Sequence, residues 1–536
     1  MAGRAVVATG FTLLLVLALR LAAVALNHSL SSDVLYPHLF AQDVLGGRYP
    51  LNGWSFGGAT FFFPDYLIYI PVLALTGPGG FSFSVYAVIY FLALAMAIAA
   101  VARWWADCPP LAARLAGLMA VNGMLLLQFL PRHSSVLWSM ALPGYHGGTL
   151  LNGLVLVALV GRILARPSPG QLPWLAAGLL LWLGLTANAL LLVQFVVPLA
   201  VAIGCLERNG AARSGVTRRF VLLGSGTLAG AMFVRLGLEL GHLGYYYRLG
   251  FRQTPSPSAL WQETEKILRD VRVDLVPQVW GWGVGLAGWL LLLAWAVRWR
   301  RRISNPRMLA LHYLVLTSAA GILAMLVVTG FWKDASNVRY LFNGLVLPVV
   351  VVAVTVARGR ATSRMFPAPV AWAVAALLTV AAGGFAVTLD PAAWRIQPTP
   401  ASRGLAGIVE RHHLHQGLAG YWQANLLDGL DDSHRVNALL PDGHPYFWCN
   451  NAFWYFAPPG PDGTLRWPVC DFILTTGLDR DAIRGRFGPP AEVVQEEGWE
   501  VFIYDPAGQA RIRALLAHEV VEKLGPSRLR GLYSVY

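Results

Sequence analysis

The chain has 536 residues, of which 56% are hydrophobic and only 13% charged, against about 25% charged in an ordinary soluble domain. That balance, with a mean hydropathy of +0.53, excludes a wholly soluble protein. The formal charge of +13 rests on arginine, since Lys266, Lys333 and Lys523 are the only lysines; the arginines fall in short loops between apolar runs, a pattern of membrane orientation that excludes a groove tracking nucleic-acid phosphates.

The first apolar run, residues 5–26, is long enough to cross roughly 30 Å of hydrocarbon. It is too long for the core of a secretory signal, contains Arg20 and lacks a small-residue cleavage site before Asn27 and His28, so it reads as a retained span. Further spans are expected near 82–102, 113–131, 147–164, 172–187, 189–206, 219–239, 281–297, 308–330, 339–357 and 369–389. The loops 103–114, 162–171, 207–219, 298–307 and 358–364 hold sixteen arginines and should be cytoplasmic. The segments 28–60, 131–146, 241–280 and 331–338 are longer together but hold eight Lys or Arg, and should face outward. This alternation closes with eleven crossings, a cytoplasmic N-terminus and an external C-terminus. It requires that 61–75, with Pro64 and Pro71, lie along or dip into the outer interface without crossing.

The first outward loop carries Asp33, then Pro37, then Gly46 and Gly47. Pro37 suits the first turn of a short helix and the glycines its end. Asp33 would then hang just before a helix N-terminus at the rim of the first span, where partial positive charge stabilises a carboxylate. Such a group can accept a proton from a hydroxyl or simply cap the helix. Asp43, about three turns on, either orients an acceptor, assists Asp33 or is solvated. The aromatic stretch Trp54, Phe61, Phe62, Phe63 and Tyr66 suits the headgroup level. Asp65 within it is costly unless it faces water or a partner, so it is a second candidate.

The next outward loop brings Arg132, His133, Tyr145 and His146. The two histidines have no Cys or carboxylate at a familiar ligand spacing, so no metal is expected there. Residues 260–275 form an amphipathic run with Glu263, Glu265, Lys266, Arg269 and Asp270, suited to an interfacial helix. The short loop 331–340 contains Lys333, Arg339 and Tyr340. Guanidinium matches phosphate oxygens bidentately, which makes Arg339 the preferred phosphate ligand, with interfacial snorkelling as the plain alternative.

From about residue 390 Pro391, Pro398 and Pro400 mark a linker. Beyond it, β-like runs at 435–440, 471–476 and 501–504 alternate with helical patches at 403–412 and 481–487, the pattern of a small α/β domain. Cys449 and Cys470 lie in it; in an oxidising compartment they could pair, closing a loop of about 20 residues and adding on the order of 3 kcal/mol, or remain buried thiols. The expected fold is therefore a polytopic α-helical membrane protein of about eleven transmembrane helices (1–389, with external loop 28–80), followed by a small extracytoplasmic α/β domain (390–536).

An acidic residue just after the first span, a proline-containing aromatic segment before the second, many spans and an external C-terminal domain together resemble the GT-C glycosyltransferases. That family includes protein O-mannosyltransferases and aminoarabinose lipid A transferases. The Arg339–Tyr340 pair looks like the arginine-tyrosine at the corresponding place in such enzymes. The resemblance covers the chain as architecture. It implies that Asp33 acts as base for an acceptor hydroxyl, that a polyprenyl-phosphate sugar is the donor, and that Arg339, with Lys333 or Arg132, steadies the leaving phosphate, with lipid, glycan or protein as acceptor. Asp43, Asp65, His133, Tyr145, His146 and Tyr340 complete the expected substrate-binding set. Val34 stands where several relatives have a second acidic residue, which leaves a divalent metal and the part played by Asp43 open; no cofactor is otherwise indicated.

A transporter or flippase would place ionisable groups near mid-membrane, whereas here Arg20 and Arg235 are the main arginines in spans and polar groups gather in outward loops. A membrane O-acyltransferase would need a histidine in or beside the bilayer, for which His312 and His146 are available. A scaffold or receptor binding envelope polymers is the third alternative. The arginine-rich, lysine-poor composition points to a bacterial inner membrane with the C-terminal domain in the periplasm.

Overall fold

The computed structural model describes residues 2–28, 32–47, 49–57, 59–127, 140–166, 168–240, 256–270, 305–330, 340–362, 368–387, 400–428, 435–455, 470–496 and 498–524, with Ala287, Gly288, Leu290, Leu291, Ala294 and Trp332. It is mostly helical. In chain order the helices are α1 (Ala2–His28), α2 (Ser32–Gly46), α3 (Leu67–Thr76), α4 (Gly80–Trp105), α5 (Pro110–Leu126), α6 (Gly147–Ala165), α7 (Gln171–Ala187), α8 (Val197–Arg208), α9 (Val216–Leu240), α10 (Pro257–Asp270), α11 (Pro306–Thr329), α12 (Phe342–Thr362) and α13 (Ala368–Val387). Helices thus occupy the expected crossing segments, except 281–297, most of which lies outside the described residues.

Among the described residues, α1, α4, α6, α9 and α11 are long and apolar enough to cross a membrane, while the apolar helices at 62–76, 110–126, 171–187, 344–359 and 372–387 are shorter. The ten residues of α3 rise roughly 15 Å, less than the roughly 30 Å of hydrocarbon. Helix α1 packs on α4, α5 and α13, and α4 on α5 and α6, around one apolar core. The outer faces stay apolar: Leu172, Leu175, Leu179 and Trp182 on α7, and Val221, Leu222, Met232, Phe233 and Leu236 on α9, are exposed. Apolar surface this continuous fits hydrocarbon rather than water. A multi-pass membrane protein is therefore compatible with the fold. The break inside 172–205 has a local cause. Asn188 adopts an extended conformation after α7, and its Oδ1 accepts the Leu190 N–H at 3.0 Å, a side-chain turn that competes with the helix.

The C-terminal region adds α14 (Pro400–Arg411), β2 (Gln416–Gly420), α15 (Tyr421–Asp428), β3 (Arg435–Leu439), β4 (Asn450–Asn451), β5 (Phe472–Leu474), α16 (Arg480–Phe487), β6 (Glu492–Glu496), β7 (Trp499–Ile503) and α17 (Pro506–Leu524). Five strands form one mixed sheet in the order β3-β2-β5-β7-β6. β3, β2 and β5 are parallel, and β7 runs antiparallel to β5 and β6. The parallel pair β2 and β3 is joined through α15, as a crossover between parallel strands requires. Gly498, with φ +82°, makes the tight turn between β6 and β7.

This sheet does not close its core alone. Tyr36, Leu39, Phe40, Tyr49, Phe56 and Tyr66, from the segment after α1, lie in the same buried cluster as Leu418, Phe453, Phe472 and Phe502. A short strand β1 (Trp54–Ser55) pairs antiparallel with β4, Trp54 opposite Asn451 and Ser55 opposite Asn450. The second segment of the chain is thus folded as part of the C-terminal core.

One carboxylate in that core sets an acid limit. Glu500 on β7 is 8% exposed. Burial alone would push its carboxyl up, but hydrogen bonds from Thr475 and Gln495 and the nearby Arg480 and Arg484 hold it below its ordinary value. A depressed folded value stabilises above the unfolded carboxyl's pKa of about 4.3, and this contribution disappears as pH falls through the folded value. The melting temperature of the C-terminal region should therefore drop as pH is lowered below about 4.3. Glu500→Gln should lower it at neutral pH and flatten that acid slope; an equally steep slope in the variant would show that other carboxylates set it.

Candidate functional site

Helix α2 begins at Ser32, so Asp33 is inside its first turn rather than before it, and Pro37 lies within the helix. The expectation that Pro37 opens the helix is corrected. Pro37 is tolerated one turn in because it removes only the backbone bond that would close on Asp33. At this end α2 meets α15. Ser32 Oγ donates to the Tyr421 carbonyl, and the Tyr421 hydroxyl donates to Asp33 Oδ1 at 3.0 Å. Tyr421 is 8% exposed, and burial pushes its phenol well above the usual value, so it remains a protonated donor. Asp33 itself is half-buried. Tyr36 and the Cys449 thiol stand near it and Tyr421.

Asp43, ten residues on, is 7% exposed. Its Oδ2 accepts from Trp54 Nε1 at 2.9 Å, Asn451 Nδ2 at 3.0 Å and Trp454 Nε1 at 2.9 Å. Two of these donors belong to the C-terminal region and one to β1. The carboxylate thus sits in a three-donor clamp where the 49–57 loop and the 450–455 turn meet. Packing reinforces it: the Trp54 and Trp454 rings cross edge-on at 4.8 Å. Gly53 lets the chains approach, since an added Cβ would stand 2.2 Å from Phe453 Cδ2 and 2.3 Å from Asn451 Oδ1.

Asp65 is 1% exposed and accepts the Tyr86 hydroxyl of α4. Gly148 admits it: an added Cβ there would lie 2.3 Å from Asp65 Oδ2. His146 and Tyr340, about two hundred residues apart in sequence, come together with ring centroids 4.8 Å apart, and Phe61 stands 5.9 Å from His146. Asn188 Nδ2 donates to Thr149 Oγ1 at 2.7 Å and lies 3.0 Å from His146 Nδ1. Tyr145 packs partly buried against the helical core. Arg132, His133, Lys333 and Arg339 lie outside the described residues. The amphipathic helix α10 meets the start of the 331–340 loop, with Lys266 Nζ 3.2 Å from the Trp332 carbonyl and Trp332 Nε1 2.8 Å from Asp270 Oδ2. Among the described residues no group of three or more His, Cys, Asp or Glu could hold a metal ion.

Of the two alternatives for Cys449 and Cys470, the structure carries the second: both thiols are buried and free. Cys449 is turned toward Gly57, whose Cβ position lies 3.3 Å from its sulfur, and toward Tyr36 and Tyr421. Cys470 sits just before β5, and burial pushes its thiol up to about 12. Alkylation in denaturant without reductant, followed by peptide mass spectrometry, should label both residues; protection of the pair until reductant is added would restore the disulfide.

With this geometry established, comparison with known proteins adds no relative: the chain matches no protein-family model, no curated protein and no solved structure. The partners sequence reasoning missed are Tyr421, Trp54, Asn451, Trp454 and Asn188. Of these, only Asn188 carries a local signal, a polar residue interrupting an apolar run.

Proposed function

We propose that this chain is a multi-pass membrane glycosyltransferase of the GT-C type. It transfers a sugar from a polyprenyl-phosphate donor to an acceptor hydroxyl on the extracytoplasmic side, with the N-terminus cytoplasmic, about eleven crossings and the C-terminal region periplasmic. The observation that carries this reading is Asp33. It is a half-buried carboxylate one turn beyond the first long apolar helix, with Tyr421 from the C-terminal region donating a hydrogen bond to one oxygen and so fixing its orientation. A base must be held within hydrogen-bond reach of the proton it takes.

In the reaction, an Asp33 oxygen takes the acceptor's hydroxyl proton as that oxygen bonds to the sugar's anomeric carbon. The anomeric carbon–phosphate oxygen bond breaks on the opposite face, and its electron pair leaves with the polyprenyl phosphate, so the configuration inverts. Arg339, with Lys333 or Arg132, would steady the developing phosphate charge. His146 packs on Tyr340, the residue that follows Arg339 in the chain. Asp65, buried against Tyr86, supports the 59–66 turn and need not touch substrate. The clamp on Asp43 supports a positioning part for that residue.

The test is mass spectrometry of envelope glycans from a strain lacking the protein, complemented with wild type or with equally expressed Asp33→Asn. Wild type should restore a missing sugar and the variant should not. Equal restoration would make Asp33 structural, and a deletion strain with unchanged glycans would move a transporter or binding protein ahead.

A further inference from the structure

We propose that the first turn of α15 is the acceptor subsite and that the acceptor is a carbohydrate, its sugar ring seated on the indole of Trp422. The inference rests on the transferase reading and names the substrate class that this reading leaves open. Among the described residues of the C-terminal region, the exposed large apolar side chains are Trp422, Val493 and Val521. Trp422, at 55% exposed, is the one exposed aromatic ring among them. Its place is specific: the indole stands 5.2 Å from the Tyr421 ring at 71°, and the Tyr421 hydroxyl is the group bonded to Asp33. The Tyr446 ring also meets Tyr421 edge-on, at 5.6 Å. The buried Tyr421 is thus flanked by two rings, of which the indole is exposed, while its own hydroxyl reaches the carboxylate.

The chemistry of that arrangement selects a sugar. A pyranose presents a face of C–H groups, which an aromatic face covers, and a rim of hydroxyls, which need polar partners once desolvated. Trp422 offers the first, and the half-buried Asp33 carboxylate, held by the Tyr421 hydroxyl at the adjoining helix end, offers the second. A hydrocarbon chain would strip water from the carboxylate and offer it no hydrogen bond in return. A sugar seated on the ring would present one of its rim hydroxyls to the base.

The test separates binding from transfer. Full-length protein in nanodiscs is examined by saturation-transfer NMR with methyl α-mannopyranoside, methyl β-glucopyranoside and methyl β-galactopyranoside. At least one should receive saturation on its ring C–H protons. Trp422→Ala should weaken that binding about tenfold, the loss typical of an aromatic anchor; Trp422→Phe should retain most of it, and Asp33→Asn should keep binding while losing transfer. No signal from any glycoside, or a signal unchanged in Trp422→Ala, overturns the subsite without touching the role of Asp33. A nitroxide on Trp422→Cys supplies an independent reading of the same position. Relaxation by a water-soluble nickel complex is expected, and relaxation by oxygen instead would place the ring in the bilayer as an anchor and overturn the proposal.

Discussion

Replacing Asp43 with alanine is expected to loosen the C-terminal region from the helical body while leaving the helices folded. One oxygen holds three N–H donors, and the side chains that supply them are at most 1% exposed. Removing the carboxylate strands donors that water cannot easily reach, at about 1–3 kcal/mol for each one left unsatisfied. Partial relaxation reduces the sum, so a loss of about 3–5 kcal/mol is expected, the range for breaking a buried charged network on one side. Asp43→Asn keeps one acceptor oxygen in the same space and should lose less. Limited proteolysis of nanodisc-embedded protein reads the difference. In Asp43→Ala the region after residue 400 should be cut much faster, whereas α4 and α6 fragments remain protected. Equal digestion of variant and wild type would mean that the shared apolar core alone docks the region. Because Tyr421 rides on this region, Asp43→Ala should also weaken transfer with Asp33 intact.

The parts of this molecule legible in the sequence are those decided by neighbours within a turn or two of chain. Among the described residues the apolar runs became helices, and the patches at 403–412 and 481–487 became α14 and α16. The runs at 435–440, 471–476 and 501–504 became β3, β5 and part of β7. The division of 172–205 follows from Asn188. What stayed illegible was decided by long-range contacts. Asp43, followed by a glycine pair, has the local grammar of a solvated helix end; it is buried because donors 408 and 411 residues away converge on it. Tyr421 reaches Asp33 across 388 residues, and no periodicity encodes that. The cysteine pair had a permissive loop length, but length says nothing about direction, and Cys449 points at Gly57. Asp33 could be picked out because its position, the first acidic residue after the first span, is a local property.

On the transferase reading, Asp33→Asn should lower the rate of sugar transfer by about 10²–10⁴-fold, the range supplied by a positioned general base. Asparagine keeps an oxygen that can accept the Tyr421 hydroxyl, so the helix end and the docking of α15 should persist and binding should change little. A loss confined to turnover separates chemistry from folding. Tyr421→Phe makes the contrast. It leaves the carboxylate in place but removes the Tyr421 hydroxyl that donates to it, so the base is held less firmly. Its cost should be smaller, about tenfold, because misplacement rather than removal is being measured. Both variants can be read in the same complemented strains by the amount of the restored sugar at matched protein levels. If Tyr421→Phe were as damaging as Asp33→Asn, the phenol would have to take part in the reaction itself; if neither mattered, the carboxylate would be a helix-end group and the proton would have to leave by another route.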